Sequence, residues 1–180
     1  MALKSTIFRA ELQVSDLDRG HFATHALTIA RHPSETDERM MARLLAFALN
    51  ADSALEFGRG LSAEDEPDLV QRDLTGAIEL WIEVGLPDER SVRKAAGRAR
   101  AVKVYTYGGR GAERWWTQNR EALARIRNAA VIDLPGEAIA AMCALSGRTM
   151  RFDCTIQEGQ VWLACAGATL QIEPRERTVR

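Results

Sequence analysis

A mixed α/β fold is predicted by three observations. Residues 6–14 alternate apolar and polar side chains, and a similar returning segment follows a short turn. Met41, Leu44, Leu45 and Ala48 recur at helical spacing. The middle of the chain then reads helix, strand, strand, helix, strand, helix. Period two marks a half-buried strand and period 3.6 an amphipathic helix, so both element types are present and interleaved. The expected architecture is a mixed central sheet flanked by helices, extended by an N-terminal hairpin and by C-terminal strands.

In the first strand Thr6, Phe8, Ala10, Leu12 and Val14 point one way, and Ile7, Arg9, Glu11 and Gln13 the other. Residues 16–20 are turn-like, and residues 21–31 return as the second arm of a hairpin. Pro33 ends that arm. Ser34 with Asp37 three residues on is a variant capping box, opening a helix that runs to about Asn50. A polar, acidic loop spans 60–67. Residues 68–73 form a short strand, 74–77 a turn and 78–84 a second strand. Pro87 suits the first turn of the next helix, with Asp88 and Glu89 near its positive end, and that helix continues through Arg98. Residues 102–107 are β-branched and aromatic, hence a strand. The glycine-rich run 108–111 turns into a helix over 112–127. A strand at 131–134, a short helix at 137–145, and strand-like residues 148–173 with turns at Glu158-Gly159 and near Gly167 complete the chain.

The chain has 180 residues, long enough for one domain with a sizeable core, expected to span 1–180. Its composition is 46% apolar and 27% charged, which excludes a disordered or fibrous chain. The net charge of −1 excludes binding of nucleic acid by bulk attraction, so any such contact requires a local patch. Cys143, Cys154 and Cys165 form no C-x-x-C pair, and reduced thiols of a cytoplasmic protein are expected. The start, MALKSTIFRAEL, lacks an apolar signal core, and no apolar run approaches a membrane span.

Chemistry is suggested by Pro67-Asp68, Glu83 and Lys94. Asp68 opens one strand and Glu83 lies near the end of the next, so adjacent strands can bring the two carboxylates together. Oxygen ligands of this type suit a hard Mg²⁺ ion. Lysine occurs only at Lys4, Lys94 and Lys103 in an arginine-rich chain, a hint that an amine is wanted at those positions.

The runs HPSETDERMMARLLAFAL, EDEPDL, IELWIEVGLPDE, RKAAGRA and VYTYGG, in that order, resemble the YaeQ family over most of the chain. That resemblance implies a fold similar to the PD-(D/E)XK nucleases. There a helix carries an acid, one strand opens with Pro-Asp, and the next carries an acid, any residue and a lysine. Pro67-Asp68 matches the first strand and Glu83 the second acid. Gly85 stands where the lysine belongs, and Lys94, on the following helix beside Ala95, Ala96 and Ala99, could reach the space that glycine leaves. Glu38 matches the helix acid. It lies three residues before Met41 and seven before Leu45, toward the apolar stripe, with Glu35 the weaker substitute because it is near the helix start. The resemblance thus implies Mg²⁺, or Mn²⁺ in its place, held by Asp68, Glu83 and Glu38, with Lys94 orienting a water and a nucleic-acid phosphodiester as substrate. The alternative is a non-catalytic nucleic-acid-binding or regulatory module on the same fold. Structural roles also suit these residues: Glu35, Asp37 and Glu38 complement a helix dipole, and Glu83 with Lys94 can form an ion pair.

Three weaker signals stand apart. The turn Gly108-Gly109-Arg110-Gly111 opens a helix whose N–H groups could meet a phosphate, though it is no dinucleotide fingerprint. Arg93, Arg98, Arg110 and Arg114 could form a basic rim with Trp115 or Trp116, one tryptophan being core. His21 and His25 share a strand face without an acid or cysteine at zinc-ligand spacing.

Overall fold

The structure, a computed structural model, describes residues 4–59 and 65–178. Most of the expected acidic loop, residues 60–64, lies outside the described residues.

Strands β1 (Thr6–Asp16) and β2 (His21–Arg31) form the hairpin, in register from Thr6 opposite Arg31 to Asp16 opposite His21. Helix α1 (Asp37–Leu49) follows, then β3 (Leu55–Phe57), β4 (Leu69–Arg72) and β5 (Ile78–Val84). After them come α2 (Glu89–Ala96), β6 (Ala99–Thr106), α3 (Arg110–Leu123), β7 (Ala129–Asp133) and α4 (Gly136–Ala144). The chain closes with β8 (Thr149–Gln157), β9 (Gln160–Cys165), β10 (Ala168–Ile172) and β11 (Arg175–Arg177).

These strands form two sheets rather than one. The hairpin joins the late strands in the order β10-β9-β8-β1-β2, with β1 and β8 parallel. The other sheet runs β11-β7-β6-β5-β4-β3, with β5, β6 and β7 parallel. The physical reason lies in α1. Every residue from Met40 to Ala48 is buried, so this helix needs cover on all sides. A single extended sheet would leave its far side in water. The separate sheet supplies that cover with Phe8, Ala10, Leu12 and Val14 of β1 and Met150, Phe152, Cys154 and Ile156 of β8, in the same core cluster as α1. Ile139 and Met142 of α4 join that cluster.

The six-stranded sheet has a second apolar face. Trp81, Val102, Val104 and Val131 pack there against Val92 and Ala95 of α2 and Trp115 and Leu123 of α3. Alternation along β5 explains the division: Ile82 and Val84 belong to the α1 side and Trp81 to the α2–α3 side.

The expected pairing of the 68–73 and 78–84 segments is present. Leu69 stands opposite Ile82, Val70 opposite Trp81 and Gln71 opposite Leu80, antiparallel. The Asp73 carboxylate closes the turn by accepting from the N–H groups of Thr75, at 2.8 Å, and Ala77, at 3.0 Å. Helix starts shift slightly from expectation. Thr36 caps α1 through Arg39 N–H at 3.2 Å, and Asp88 caps α2 through Arg90 N–H at 3.0 Å, leaving Pro87 just outside the helix.

Candidate functional site

Asp68 stands immediately before β4. Its own N–H donates to Ile82 O at 2.9 Å, which anchors it beside the end of β5. Beyond that point the backbone ladder stops, and the side chain continues it: Oδ2 accepts from Val84 N–H at 2.7 Å. Oδ1 accepts from Arg39 Nη2 at 2.6 Å. Asp68 is 5% exposed, so these two donors are what make a buried carboxylate tolerable.

Arg39 comes from the first turns of α1 and binds three elements together. Nη2 also donates to Val84 O at 3.2 Å, and Nη1 to Glu35 Oε1 at 3.1 Å. Glu35 in turn accepts from Arg43, at 2.7 Å from Nε and 2.8 Å from Nη2. The result is a buried chain of alternating charge, Arg43–Glu35–Arg39–Asp68. Burial alone would lower the Arg39 pKa, but Asp68 and Glu35 more than offset this and raise it.

Glu83 shares the α2–α3 face of β5 with Trp81, whose indole Nε1–H donates to Glu83 Oε1 at 2.6 Å. Burial pushes the Glu83 carboxyl up to about 7. The Trp81 bond and Arg39 act against that shift, while the neighbouring charges of Asp68 and Asp65 add to it. Asp68 and Glu83 thus lie near enough for the charge of one to raise the pKa of the other.

The other two expected site residues lie elsewhere. Glu38 is exposed, because the first turn of α1 projects beyond the layers that bury Met40 onward. The buried acid on this side is Glu35, which precedes the helix and turns inward. Lys94 does not fill the space over Gly85. Its ammonium is bonded to the carboxylate of Asp65, and its side chain is 56% exposed. The cation beside Asp68 is Arg39 instead. Sequence spacing held a signal for this: Arg39 and Arg43 lie four residues apart on an otherwise apolar helix, with Glu35 just ahead of it, and unpaired charges there would be costly.

A cleft of about 550 Å³ opens beside these groups, lined by Arg39, Glu83, Gly85, Pro87, Tyr107 and Gly108, among others. It lies at the carboxyl ends of the parallel strands β5 and β6. Gly85 has φ +118°, and a β-carbon there would meet nothing within 4 Å, so the space above it is open. The cleft continues to the start of α3, where Gly109 supplies no side-chain cap. Arg110 and Arg114 are exposed at that helix start. Trp115 is the core tryptophan, donating to Pro87 O at 2.8 Å, while the guanidinium of Arg98 lies 5.0 Å from the Trp81 ring centre.

The donor set does not fit a divalent ion as it stands. Both Asp68 oxygens are engaged, Glu83 Oε1 is engaged, and the position where Asp68 Oδ1 and Val84 O converge holds a guanidinium nitrogen. Among the described residues no group of three His, Cys, Asp or Glu side chains is arranged around a common ion position. No described helix is long and apolar enough to cross a membrane.

Comparison with known proteins places this arrangement in a family. The family model described as "YaeQ protein" matches residues 1–174. "Uncharacterized protein YaeQ" of Salmonella typhi is 48% identical over 173 residues, covering 96% of each chain, and its counterpart in Escherichia coli K12 is 49% identical over 164 residues, 91% of each. The crystal structure of YaeQ protein from Xanthomonas axonopodis pv. citri superposes with a TM-score of 0.93 at 53% identity, covering 98% of this chain and 99% of that one. That of the Pseudomonas syringae protein superposes with a TM-score of 0.92 at 34% identity, covering 98% and 97%.

Proposed function

Because the chain belongs to the YaeQ family, we propose that it acts on nucleic-acid phosphodiesters in the cleft above Gly85, on a nuclease-like core. The observation that carries this reading is the partly buried Glu83 carboxyl that lines that cleft, its pKa pushed up to about 7 by burial. A carboxyl poised at working pH can take a proton from an attacking water or return one to a leaving oxygen. The position supports the reading too, since open α/β sheets bind ligands at the carboxyl ends of their parallel strands.

The phosphate would lie toward the start of α3. The first-turn N–H groups there have no side-chain cap, and a helix amino end favours an anion. Arg110 on the same turn and Arg114 one turn on supply local positive charge to a chain whose net charge is only −1. Asp68 holds Val84 and Arg39 in place at the cleft wall. Lys94, paired with Asp65, has no part in this reading. No step is assigned to magnesium, because its position is taken by Arg39.

One observation favours the non-catalytic alternative, a nucleic-acid-binding module: both oxygens of Asp68 are committed to protein donors. Incubating supercoiled plasmid and a single-stranded RNA with the wild-type chain and with Glu83→Gln, with and without Mn²⁺, separates the two. Cleavage by the wild type, reduced about 100-fold or more in Glu83→Gln while binding persists, is the expected result. Binding without cleavage in both proteins selects the module. Neither binding nor cleavage refutes the assignment to nucleic acid.

A further inference from the structure

We propose that two copies of this chain pair through the outer edge of β2, antiparallel about a two-fold axis, so that their hairpin sheets join into one. The inference stands apart from the cleft and from its chemistry.

Among the described residues, the sheets end in the edge strands β2, β10, β11 and β3. A sheet edge presents unpaired N–H and C=O groups, and proteins blunt such edges with short strands, bulges, prolines or charges. Here β10 has five residues, and β11 and β3 have three each. Strand β2 has eleven, and its register with β1 is unbroken from end to end. Residues 22–28 of β2 include no proline, glycine, lysine, arginine, aspartate or glutamate. The flanking arginines are neutralised within the chain, Arg19 by Asp16 and Arg31 by Asp37. This one edge is long, flat and uncharged.

The backbone directions identify its free groups. Arg9 N–H donates to Arg148 O and Leu17 N–H to Ile156 O, so the odd-numbered residues of β1 turn their backbone groups to β8. The even-numbered ones turn to β2, where they face its odd-numbered residues, as Ala10 faces Leu27. The N–H and C=O groups of Phe22, Thr24, Ala26, Thr28 and Ala30 consequently point away from β1. Ala30 O is met by Arg43 Nη2 at 3.0 Å, which ends the open run at Thr28. Side-chain burial shows that the core stays open here too. His21, Ala23, His25 and Leu27 point inward by alternation, yet each is only partly buried. Leu12 and Val14, opposite His25 and Ala23 on β1, are 0% and 1% exposed. Another strand beside β2 would complete the cover.

A second copy supplies that strand by symmetry. An axis through His25 sets Phe22 opposite the partner's Thr28 and Thr24 opposite the partner's Ala26. The four open residues then satisfy one another, and Ala30 is left to Arg43. Each of these pairs joins two even-numbered positions, which keeps the inward side chains of both copies on one face. Leu27 meets the partner's Ala23, a large residue against a small one. His25 meets its own counterpart without charge, because burial and the neighbouring His21 hold its pKa below the ordinary value despite Asp52.

The test is the molar mass of the full chain, by sedimentation and light scattering over a range of concentrations, for the wild type, Ala26→Lys and Thr24→Pro. The wild type should show a species of twice the 20.0 kDa chain mass. Ala26 is exposed on the outer face of β2, so Ala26→Lys leaves the core alone and brings two ammonium groups near the axis. Thr24→Pro removes an edge N–H from each copy without breaking the β1 ladder. Each variant should raise the dissociation constant about tenfold or more while its circular dichroism is unchanged. Exchange of the Phe22, Thr24, Ala26 and Thr28 amide hydrogens should slow as the wild type is concentrated. A wild type that stays monomeric overturns the proposal, as does a dimer equally tight in folded Ala26→Lys, which would place the interface elsewhere. Should Thr24→Pro fail to fold, Ala26→Lys and the exchange data decide: edge amides that exchange at one rate at every concentration also overturn it.

Discussion

Glu83 shows how one side chain can work against the fold that holds it. Its carboxyl has an ordinary value of 4.5 and titrates at about 7 here, with burial as the leading cause. A raised carboxyl pKa means that the folded chain binds more protons than the unfolded chain between those two values. Stability is therefore fully present below about 4.5 and is lost as pH rises toward 7, levelling off above it. The loss attributable to this group is at most about 3 kcal/mol. Glu83→Gln keeps an oxygen to accept from Trp81 and carries no charge. Its melting temperature should match the wild type near pH 4.5 and exceed it at pH 8. A wild type that equals the variant across this range would show that Glu83 is not held in its protonated form.

At the scale of an element, α1 combines two designs. Its apolar residues bind two sheets together, and its Arg43 is 1% exposed with Glu35 as its carboxylate partner. Burying such a pair is tolerable only while both members are present. Glu35→Ala leaves Arg43 with Ala30 O and no counter-charge, and should cost about 3–5 kcal/mol in urea unfolding. Replacing both, as Glu35→Leu with Arg43→Met, should recover much of that loss, since an apolar pair of similar volume avoids the desolvation. A double variant as unstable as the single one would show that the pair itself holds the helix in place.

Over the whole molecule, the layers run sheet, helices, sheet, helices, with α1 in an inner layer. Phe47, in the last turn of α1, lies 5.2 Å from the His25 ring of β2 and 5.5 Å from the Phe57 ring of β3, measured between centres. It thus touches both sheets. Phe47→Ala should cost about 3–5 kcal/mol, and both sheets should loosen together. In a Trp162→Phe background, which removes the tryptophan of β9, tryptophan fluorescence reports the side of the molecule bearing Trp81, and circular dichroism reports all strands. Their urea transitions should coincide in the variant; separate transitions would show that the sheets unfold independently.

The sequence by itself determined what depends on local periodicity and turn chemistry. The hairpin, the stripe of α1, the β4–β5 pairing across Asp73 and the order of the central elements follow from residues close together in the chain. Asp68 and Glu83 were legible because strand pairing brings neighbours in sequence together. Short edge strands such as β3 and β11 carry too few residues to show a period. Tertiary structure alone decided that the hairpin and tail form a second sheet, because that choice depends on how many sides of α1 require cover. It also decided which charges face inward. Glu38 sits at helical spacing from the buried stripe, yet its turn projects into water, while Glu35, outside the helix, turns in to meet Arg43. Lys94 met Asp65 and Arg39 met Asp68 for the same reason: a long cationic side chain goes to the acid within its reach, and reach is set by how the layers pack.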